Sequence, residues 1–288
     1  MSEPYRNETV LVEVSEGIAW ITLNRPEKRN AMNPTLHFEM VDVLDRLETD
    51  PAARVLVITG AGEAWSAGQD IKEYFRDLDD KPAERARASW AAQEWRWRRL
   101  WGYPKPTIAM VNGYCFGGAF TTLTSCDLAI AAEEATFGLS EVNWGILPGG
   151  NVSRALTEVL GHRDVMYLIL TGEPFDGKRA AEMGLVNRAV PLADLVTETT
   201  KLARTLADKS PAVLSATKQA YKYAKDMDFW QAEEYLKVKS NLLNLGDPDR
   251  SRAQGMSQFL DEKTYRPGVQ SYDRAQQNDA VADNTEDS

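Results

Sequence analysis

Two short glycine-containing turns carry the residues with the clearest chemical potential. One lies in Ala64-Trp65-Ser66-Ala67-Gly68-Gln69-Asp70-Ile71, the other in Val111-Asn112-Gly113-Tyr114-Cys115-Phe116-Gly117-Gly118-Ala119. Each follows an apolar run that reads as a buried strand, and each leads into a helical pattern. Small residues at a helix start leave backbone N–H groups without intrahelical partners. Two such turns brought together would offer two N–H donors to one carbonyl oxygen, the geometry of an oxyanion hole. Glycine is also common in ordinary βα turns for steric reasons alone, so spacing by itself leaves both readings open. A third candidate is Glu141, in Phe137-Gly138-Leu139-Ser140-Glu141-Val142-Asn143-Trp144-Gly145. A carboxylate desolvated among apolar neighbours acquires a raised pKa, which suits proton transfer near neutrality.

The elements that must position these residues can be read from periodicity. Thr9–Val14 alternates, Gly17 turns, and Ile18–Leu23 is apolar, which predicts a β-hairpin. Residues 34–47 place Leu36, Phe38, Met40, Val43, Leu44 and Leu47 at helical spacing. Arg54–Gly60, Pro106–Val111 and Asp127–Ala131 are short apolar runs suited to buried strands. Helices are expected over 83–100, rich in Trp and Arg, and over 117–125. Repeated strand–turn–helix units with nearly continuous apolar strands predict a parallel sheet covered by helices. Beyond Leu192 no further strand pattern occurs. Segments 192–207, 211–225, 229–245 and 248–260 all read as helices. The expected division is therefore an α/β core over 1–191 and a helical region over 192–268. The last stretch, 269–288, has few apolar residues and is expected to be disordered.

Bulk properties narrow the class of partner. With 43% hydrophobic and 26% charged residues in 288, the chain can bury a large core. A formal net charge of −10 disfavours nucleic acid and anionic membranes. Two cysteines, Cys115 and Cys126, supply no disulfide framework, and two histidines without a Cys/His cluster argue against a zinc site. No apolar run approaches membrane-spanning length and the first ten residues are polar, so the expected location is the cytoplasm. The Arg- and Trp-rich run Glu84–Arg99 could suggest RNA. The acidic total and the interleaved Glu94 favour instead a helix that buries Trp and snorkels Arg over a subunit contact.

The residues themselves resemble a known family. Leu23-Asn24-Arg25-Pro26-Glu27-Lys28-Arg29-Asn30-Ala31-Met32, the two turns, the Glu141 segment and Ala180-Ala181-Glu182-Met183-Gly184-Leu185-Val186-Asn187 are similar to the crotonase (enoyl-CoA hydratase/isomerase) superfamily. Within it the resemblance is greatest to the hydratase-lyases of 4-hydroxycinnamoyl-CoA thioesters. The resemblance implies a spiral of ββα units followed by a helical C-terminal region, assembled as a homotrimer or a dimer of trimers. It assigns the oxyanion hole to the backbone N–H of Gln69 and Gly118, and the general acid/base to Glu141. Common hydratases of the family carry a second glutamate three residues after the oxyanion glycine. Here that position is Thr121, which cannot act as a second base, and the hydratase-lyases likewise pair one glutamate with a hydroxyl residue.

By the same carry-over, Tyr74 stands near a substrate phenol. Lys28 and Arg29 meet the phosphates of coenzyme A, and the backbone of Ala31, Ala67, Asp70 and Ile71 holds its adenine and pantetheine. A second phenol-binding tyrosine of the family falls on Lys237 rather than Tyr235. That departure leaves open whether Tyr235 substitutes, Lys237 pairs with a phenolate, or the substrate differs. The implied reaction hydrates feruloyl- or coumaroyl-CoA and cleaves it to vanillin or 4-hydroxybenzaldehyde and acetyl-CoA. It needs no metal or redox cofactor, and coenzyme A is part of the substrate. The alternatives are a hydratase or isomerase for another acyl-CoA, and an inactive binding protein of the same fold.

Overall fold

The strand–turn–helix pattern becomes a regular spiral in the computed structural model, which describes residues 7–274. The chain divides into two units, the first ending at Arg204 and the second beginning at Thr205. In the first, β1 (Val10–Ser15) and β2 (Ile18–Leu23) form an antiparallel hairpin with Ser15 opposite Ile18. Its two-residue turn, Glu16-Gly17, has positive φ at both positions, the turn whose twist matches paired strands. Helix α1 (Pro34–Thr49) starts at Asn33, whose side chain accepts from the Leu36 N–H, with Pro34 in the first turn. It buries one stripe: Leu36, Met40, Val43, Leu44 and Leu47.

The spiral follows. The strands are β3 (Val55–Gly60), β4 (Ala64–Ser66), β5 (Thr107–Val111), β6 (Tyr114–Phe116), β7 (Leu128–Ala132), β8 (Thr136–Gly138), β9 (Phe175–Asp176) and β10 (Arg188–Val190). The intervening helices are α2 (Pro82–Gln93), α3 (Leu100–Gly102), α4 (Ala119–Ser125), α5 (Val152–Leu156), α6 (His162–Thr171) and α7 (Gly177–Met183). A large sheet runs β1-β2-β3-β5-β7-β10 and a small one β4-β6-β8-β9. Each of the pairs β3/β4, β5/β6 and β7/β8 therefore sends its first strand to the large sheet and its second to the small sheet. Every residue of β3 and β5 is buried, as parallel strands covered on both faces require. Trp65, Trp95, Tyr103, Phe120 and Phe137 are the largest fully buried side chains.

Several expectations need correction. The helix expected over 83–100 is not uniform: α2 gives way to a π-helical turn at Glu94–Arg99 before α3. Within that turn the consecutive residues Trp95 and Arg96 are both buried. The helix expected from Gly117 begins at Ala119, because Gly117 has φ +53° and belongs to the turn. The short strands of the small sheet are too brief to show a period of their own.

The helix α8 (Leu195–Ala207) spans the division between the two units. The second unit holds α9 (Pro211–Ala224), α10 (Phe229–Gly246) and α11 (Ser251–Leu260). Ser210 and Asp228 cap α9 and α10 with their side chains. The segment expected to be disordered from 269 onward is in part tied down. Gln258 exchanges two hydrogen bonds with the backbone of Asp273, at 2.7 and 2.8 Å. Arg274 donates to the Lys209 carbonyl at 2.8 Å. The rest of that expectation, 275–288, lies outside the described residues.

Candidate active site

The strands β4, β6 and β8 are parallel neighbours, with Ser66 opposite Cys115 and Phe116 opposite Gly138. The chain therefore leaves one edge of the small sheet three times. Gln69, Gly118 and Glu141 sit just beyond those three exits. Glycine lets the exits meet. A Cβ on Gly68 (φ +87°) would lie 2.7 Å from the Phe116 carbonyl oxygen and 3.1 Å from the Gly118 nitrogen. A Cβ on Gly118 would lie 3.7 Å from the Gln69 nitrogen. Among the described residues no backbone acceptor takes the N–H of Gln69 or of Gly118. Both residues line a cleft of about 1010 Å³. Two free N–H groups side by side at a cleft wall can stabilise an oxyanion.

Glu141 faces the same point. Its Oε1 lies 3.1 Å from where a Cβ on Gly117 would stand, so that glycine makes room for the carboxyl group. The residue is 7% exposed and its Oε2 is buried without a hydrogen-bond partner. Burial pushes the carboxyl above its ordinary pKa, against a smaller downward pull from its own backbone N–H. It is the one carboxylate among the described residues that line the cleft.

The turn after β4 is braced throughout. Ala67 N–H donates to the Arg29 carbonyl at 2.8 Å, Met32 N–H to Gly68 at 2.7 Å, and Asp70 N–H to Met32 at 3.0 Å. Asp70 caps a π-helical turn, Ile71–Phe75, by accepting from the N–H of Lys72 and Glu73 at 3.0 and 2.8 Å. It also pairs with Arg25 at 3.0 Å in a buried contact. The Ala67 and Asp70 N–H groups are thus spent inside the protein, so only other atoms of those residues remain for a ligand.

A polar row stands behind the hole. Trp95 Nε1 lies 2.8 Å from His37 Nδ1, and His37 Nε2 lies 2.8 Å from the Gln69 amide oxygen. Arg96 donates through Nη1 to the Gly118 carbonyl at 3.0 Å and through Nε to Ala92 at 2.9 Å. Turning the Gln69 amide would let its oxygen accept from Arg96 Nη2 at 3.2 Å and its nitrogen donate to the Met32 carbonyl at 3.1 Å. That orientation requires His37 Nε2 to accept, so Nδ1 carries the proton and the Trp95 bond is lost. The original orientation keeps that bond but sets the guanidinium against an amide NH₂. A charge-assisted bond outweighs a neutral one, so we assign the turned amide. Burial, with the neighbouring Arg96 charge, holds the His37 pKa well below its ordinary value, and the imidazole is neutral. Tyr74 packs edge-on against it at 5.3 Å.

Of the residues singled out from sequence, Ala67, Gln69, Ile71, Tyr74, Gly118 and Glu141 line the one cleft. Thr121 is buried and does not; its hydroxyl donates to the Gly150 carbonyl at 2.8 Å and so supports the cleft wall from behind. Lys28 and Arg29 are exposed on the loop before α1, with Arg29 paired to Glu63 and placed 4.6 Å over the Tyr114 ring. Ala31 accepts from Arg25 Nη1 through its carbonyl. Tyr235 and Lys237 belong to the second unit, on α10, where Tyr235 meets Tyr223 edge-on. Sequence reasoning missed His37, Trp95 and Arg96. Arg96 is 2% exposed, the opposite of a snorkelling arginine. The signal that could have found it is an arginine between two tryptophans, Trp95 and Trp97. Other arginines of that run do pair with carboxylates: Arg85 with Asp79, Arg98 with Glu94, and Arg99 with Asp45 and Glu48.

The chain is 56% identical to the hydroxycinnamoyl-CoA hydratase-lyase of Pseudomonas fluorescens, over 93% of this chain and 98% of that one. It is 33% identical to the 2,3-dehydroadipyl-CoA hydratase of Escherichia coli K12, over 88% and 96%. An enoyl-CoA hydratase structure from Bacillus anthracis superposes with a TM-score of 0.81 at 27% identity, covering 88% of this chain and 97% of that chain. Residues 13–266 match the family model of enoyl-CoA hydratase/isomerase, and the chain belongs to that family.

Proposed function

We propose that the protein hydrates a 4-hydroxycinnamoyl-CoA thioester and cleaves the product to an aromatic aldehyde and acetyl-CoA. The thioester carbonyl accepts from the N–H of Gln69 and Gly118. Glu141 takes a proton from water as its oxygen adds to Cβ, and the electron pair moves through Cα to the thioester oxygen. Glu141 then returns the proton to Cα. In the second half Glu141 takes the proton of the β-hydroxyl. The Cα–Cβ bond breaks, its electrons form the acetyl-CoA enolate, Cβ leaves as the aldehyde carbon, and Glu141 returns its proton to Cα to give acetyl-CoA. The same two N–H groups hold the enolate in both halves, binding more tightly as charge develops.

The observation that carries this reading is the single carboxylate of the cleft. One glutamate with a raised pKa can shuttle one proton in each half, and Thr121 leaves no second base. The name and 56% identity of the Pseudomonas relative support the substrate class. Phe75, Phe116, Trp144 and Tyr74 line the cleft and suit an aryl group. Lys28 and Arg29 remain the proposed phosphate contacts of coenzyme A. The exposed Tyr221, Phe229, Trp230 and Leu245 of α9 and α10 support a trimer or a dimer of trimers. We place the protein in the cytoplasm, where acyl-CoA substrates are made. An ultraviolet scan with coumaroyl-CoA, beside crotonyl-CoA, tests the reading. Loss of the cinnamoyl absorbance with aldehyde formed is the expected result. Loss without aldehyde would make the protein a plain hydratase, and no change would make it a binding protein.

A further inference from the structure

We propose that Arg96 is the positioning cation of the oxyanion hole. It holds the Gly118 turn in place by its bond to the Gly118 carbonyl, and it sets a fixed positive charge behind the two N–H donors. The inference rests on the acyl-CoA reading of the cleft and adds to it a third contributor, which is a side chain rather than backbone.

Four observations converge. Arg96 is 2% exposed, yet among the described residues no carboxylate pairs with it. A buried arginine is ordinarily paired, because an uncompensated buried charge is costly. Burial draws its pKa down to about 10, with a nearby Tyr74 hydroxyl acting in the opposite sense, so the guanidinium stays charged at neutral pH. Its protein bonds run to neutral acceptors: two at the hole, Gly118 at 3.0 Å and the turned Gln69 amide at 3.2 Å, and one in the preceding helical turn, Ala92 at 2.9 Å. Finally, it touches both walls of the cleft. Nη1 lies 3.0 Å from where a Cβ on Gly118 would stand, and Nη2 lies 3.1 Å from the corresponding point on Gly150.

A charge kept buried without a counter-ion is poised for an anion that arrives during the reaction. The thioester oxygen becomes that anion. The guanidinium also ties Gln69 and Gly118 together, so the two donors that must act on one oxygen share one anchor. The cost of the unpaired charge is met in the folded protein, before any substrate binds. That is the preorganisation that makes fixed charges effective in catalysis.

The test reads the field at the carbonyl rather than turnover alone. In a Glu141→Gln background, where proton transfer is blocked, cinnamoyl-CoA binds without reacting. The conjugated thioester shifts its absorbance to the red when its carbonyl is polarised. The expected result is a red shift on binding that Arg96→Met largely abolishes and Arg96→Lys partly restores. In the Glu141 protein, Arg96→Met should lower kcat on coumaroyl-CoA by about 10²–10³-fold, the size of one lost hole donor. KM should stay within a few-fold, and affinity for free coenzyme A, which has no carbonyl at this point, should be unchanged. If Arg96→Met fails to fold, Arg96→Gln, which removes the charge and keeps a donor, replaces it. An undiminished red shift, or kcat within a few-fold of the parent, would overturn the inference. Absence of aldehyde from coumaroyl-CoA would overturn the substrate assignment alone, since the shift is read on unreacted cinnamoyl-CoA. Failure to bind cinnamoyl-CoA at all would overturn both.

Discussion

Asp70 and Glu141 sit at corresponding points of the spiral, one beyond β4 and the other beyond β8, and their surroundings differ completely. Both are buried. Asp70 is met by two backbone N–H groups and the Arg25 guanidinium, and its neighbours Ala67 and Met32 are bonded across the turn. Glu141 has a buried oxygen with no partner, on a short turn followed by Trp144, Ile146 and Leu147, all exposed on the cleft wall. The same residue chemistry is structural where both carboxylate oxygens are bonded and reactive where one is left without a partner. The turn after β4 holds a donor still, while the turn after β8 holds a proton carrier in reach of it.

Exchanging each carboxylate for its amide should separate those roles. Glu141→Gln keeps the shape and removes the proton carrier. Turnover should fall by about 10²–10⁴-fold, the usual contribution of a general acid/base, with coenzyme A affinity retained. Asp70→Asn should instead lower stability, by about 1–3 kcal/mol for weakened buried partners, and change kcat per folded molecule far less. Steady-state kinetics beside thermal melts checks both. If Asp70→Asn were the more damaging to kcat, the distinction between the two turns would collapse.

The contact between turns gives the next largest effect. Gly68→Ala forces a side chain into φ +87° and sets its Cβ 2.7 Å from a backbone oxygen of the neighbouring turn. Something must move, and the Gln69 and Gly118 donors are the nearest groups. A displacement of about 1 Å at such a point typically costs about 100-fold in rate. We expect that loss in kcat, together with a lower Tm. A crystal structure of the variant with the donors unmoved and kcat intact would show that the hole does not depend on this contact.

Gln69→Ala probes the polar row behind the hole. The family resemblance calls on the backbone of Gln69 alone, which predicts little effect. The structure sets its amide between His37 and Arg96, so truncation strands a buried guanidinium hydrogen and removes the donor to His37 Nε2. A loss of about tenfold in kcat, equal to about 1.4 kcal/mol, is expected. Rates equal to the parent would return Gln69 to a backbone-only role.

These cases show where the sequence is legible. The long strands β3 and β5 and the stripe of α1 follow from composition and period, because burial on two faces or one stripe leaves a pattern. Gly68, Gly117 and Gly118 stand out because only a residue without Cβ allows the turns to touch. Glu141 is visible as a charge among apolar residues. The row His37–Gln69–Arg96 is not visible, since its members lie far apart in the chain and meet only through the spiral. Arg96 in particular has one local mark of burial, its place between Trp95 and Trp97: an arginine inside a helix usually faces water, and the packing of the π-helical turn at Glu94–Arg99 shows otherwise. Thr121 was legible in type but not in direction, because a buried threonine in a short helix can turn its hydroxyl to whichever carbonyl is near.

The smallest expected effect separates Asp70 from Glu141 by sign. Burial pushes the Asp70 carboxyl up, but the Glu73 N–H, the Arg25 guanidinium and the Lys72 N–H together hold it below its ordinary value. A lowered pKa contributes stability that is present above the unfolded pKa and is lost as pH falls through the folded one. Glu141 is raised by burial. Its contribution is therefore full below the unfolded carboxyl value and is lost as pH rises through the folded pKa. Glu141→Gln removes that titration. Relative to the parent, its Tm should be higher at neutral pH, and the advantage should shrink as pH falls toward about 4, the ordinary range of a carboxyl group. Asp70→Asn should show the reverse: a Tm deficit at neutral pH that persists down to about 4 and closes only below it, as pH falls through the lowered folded pKa. Thermal melts of the three proteins from neutral pH to well below about 4, taken as differences, cancel the titration of the remaining groups. A Glu141→Gln advantage that grew toward acid would mean the buried oxygen is paired in solution, and with it would go the reason for giving Glu141 the proton.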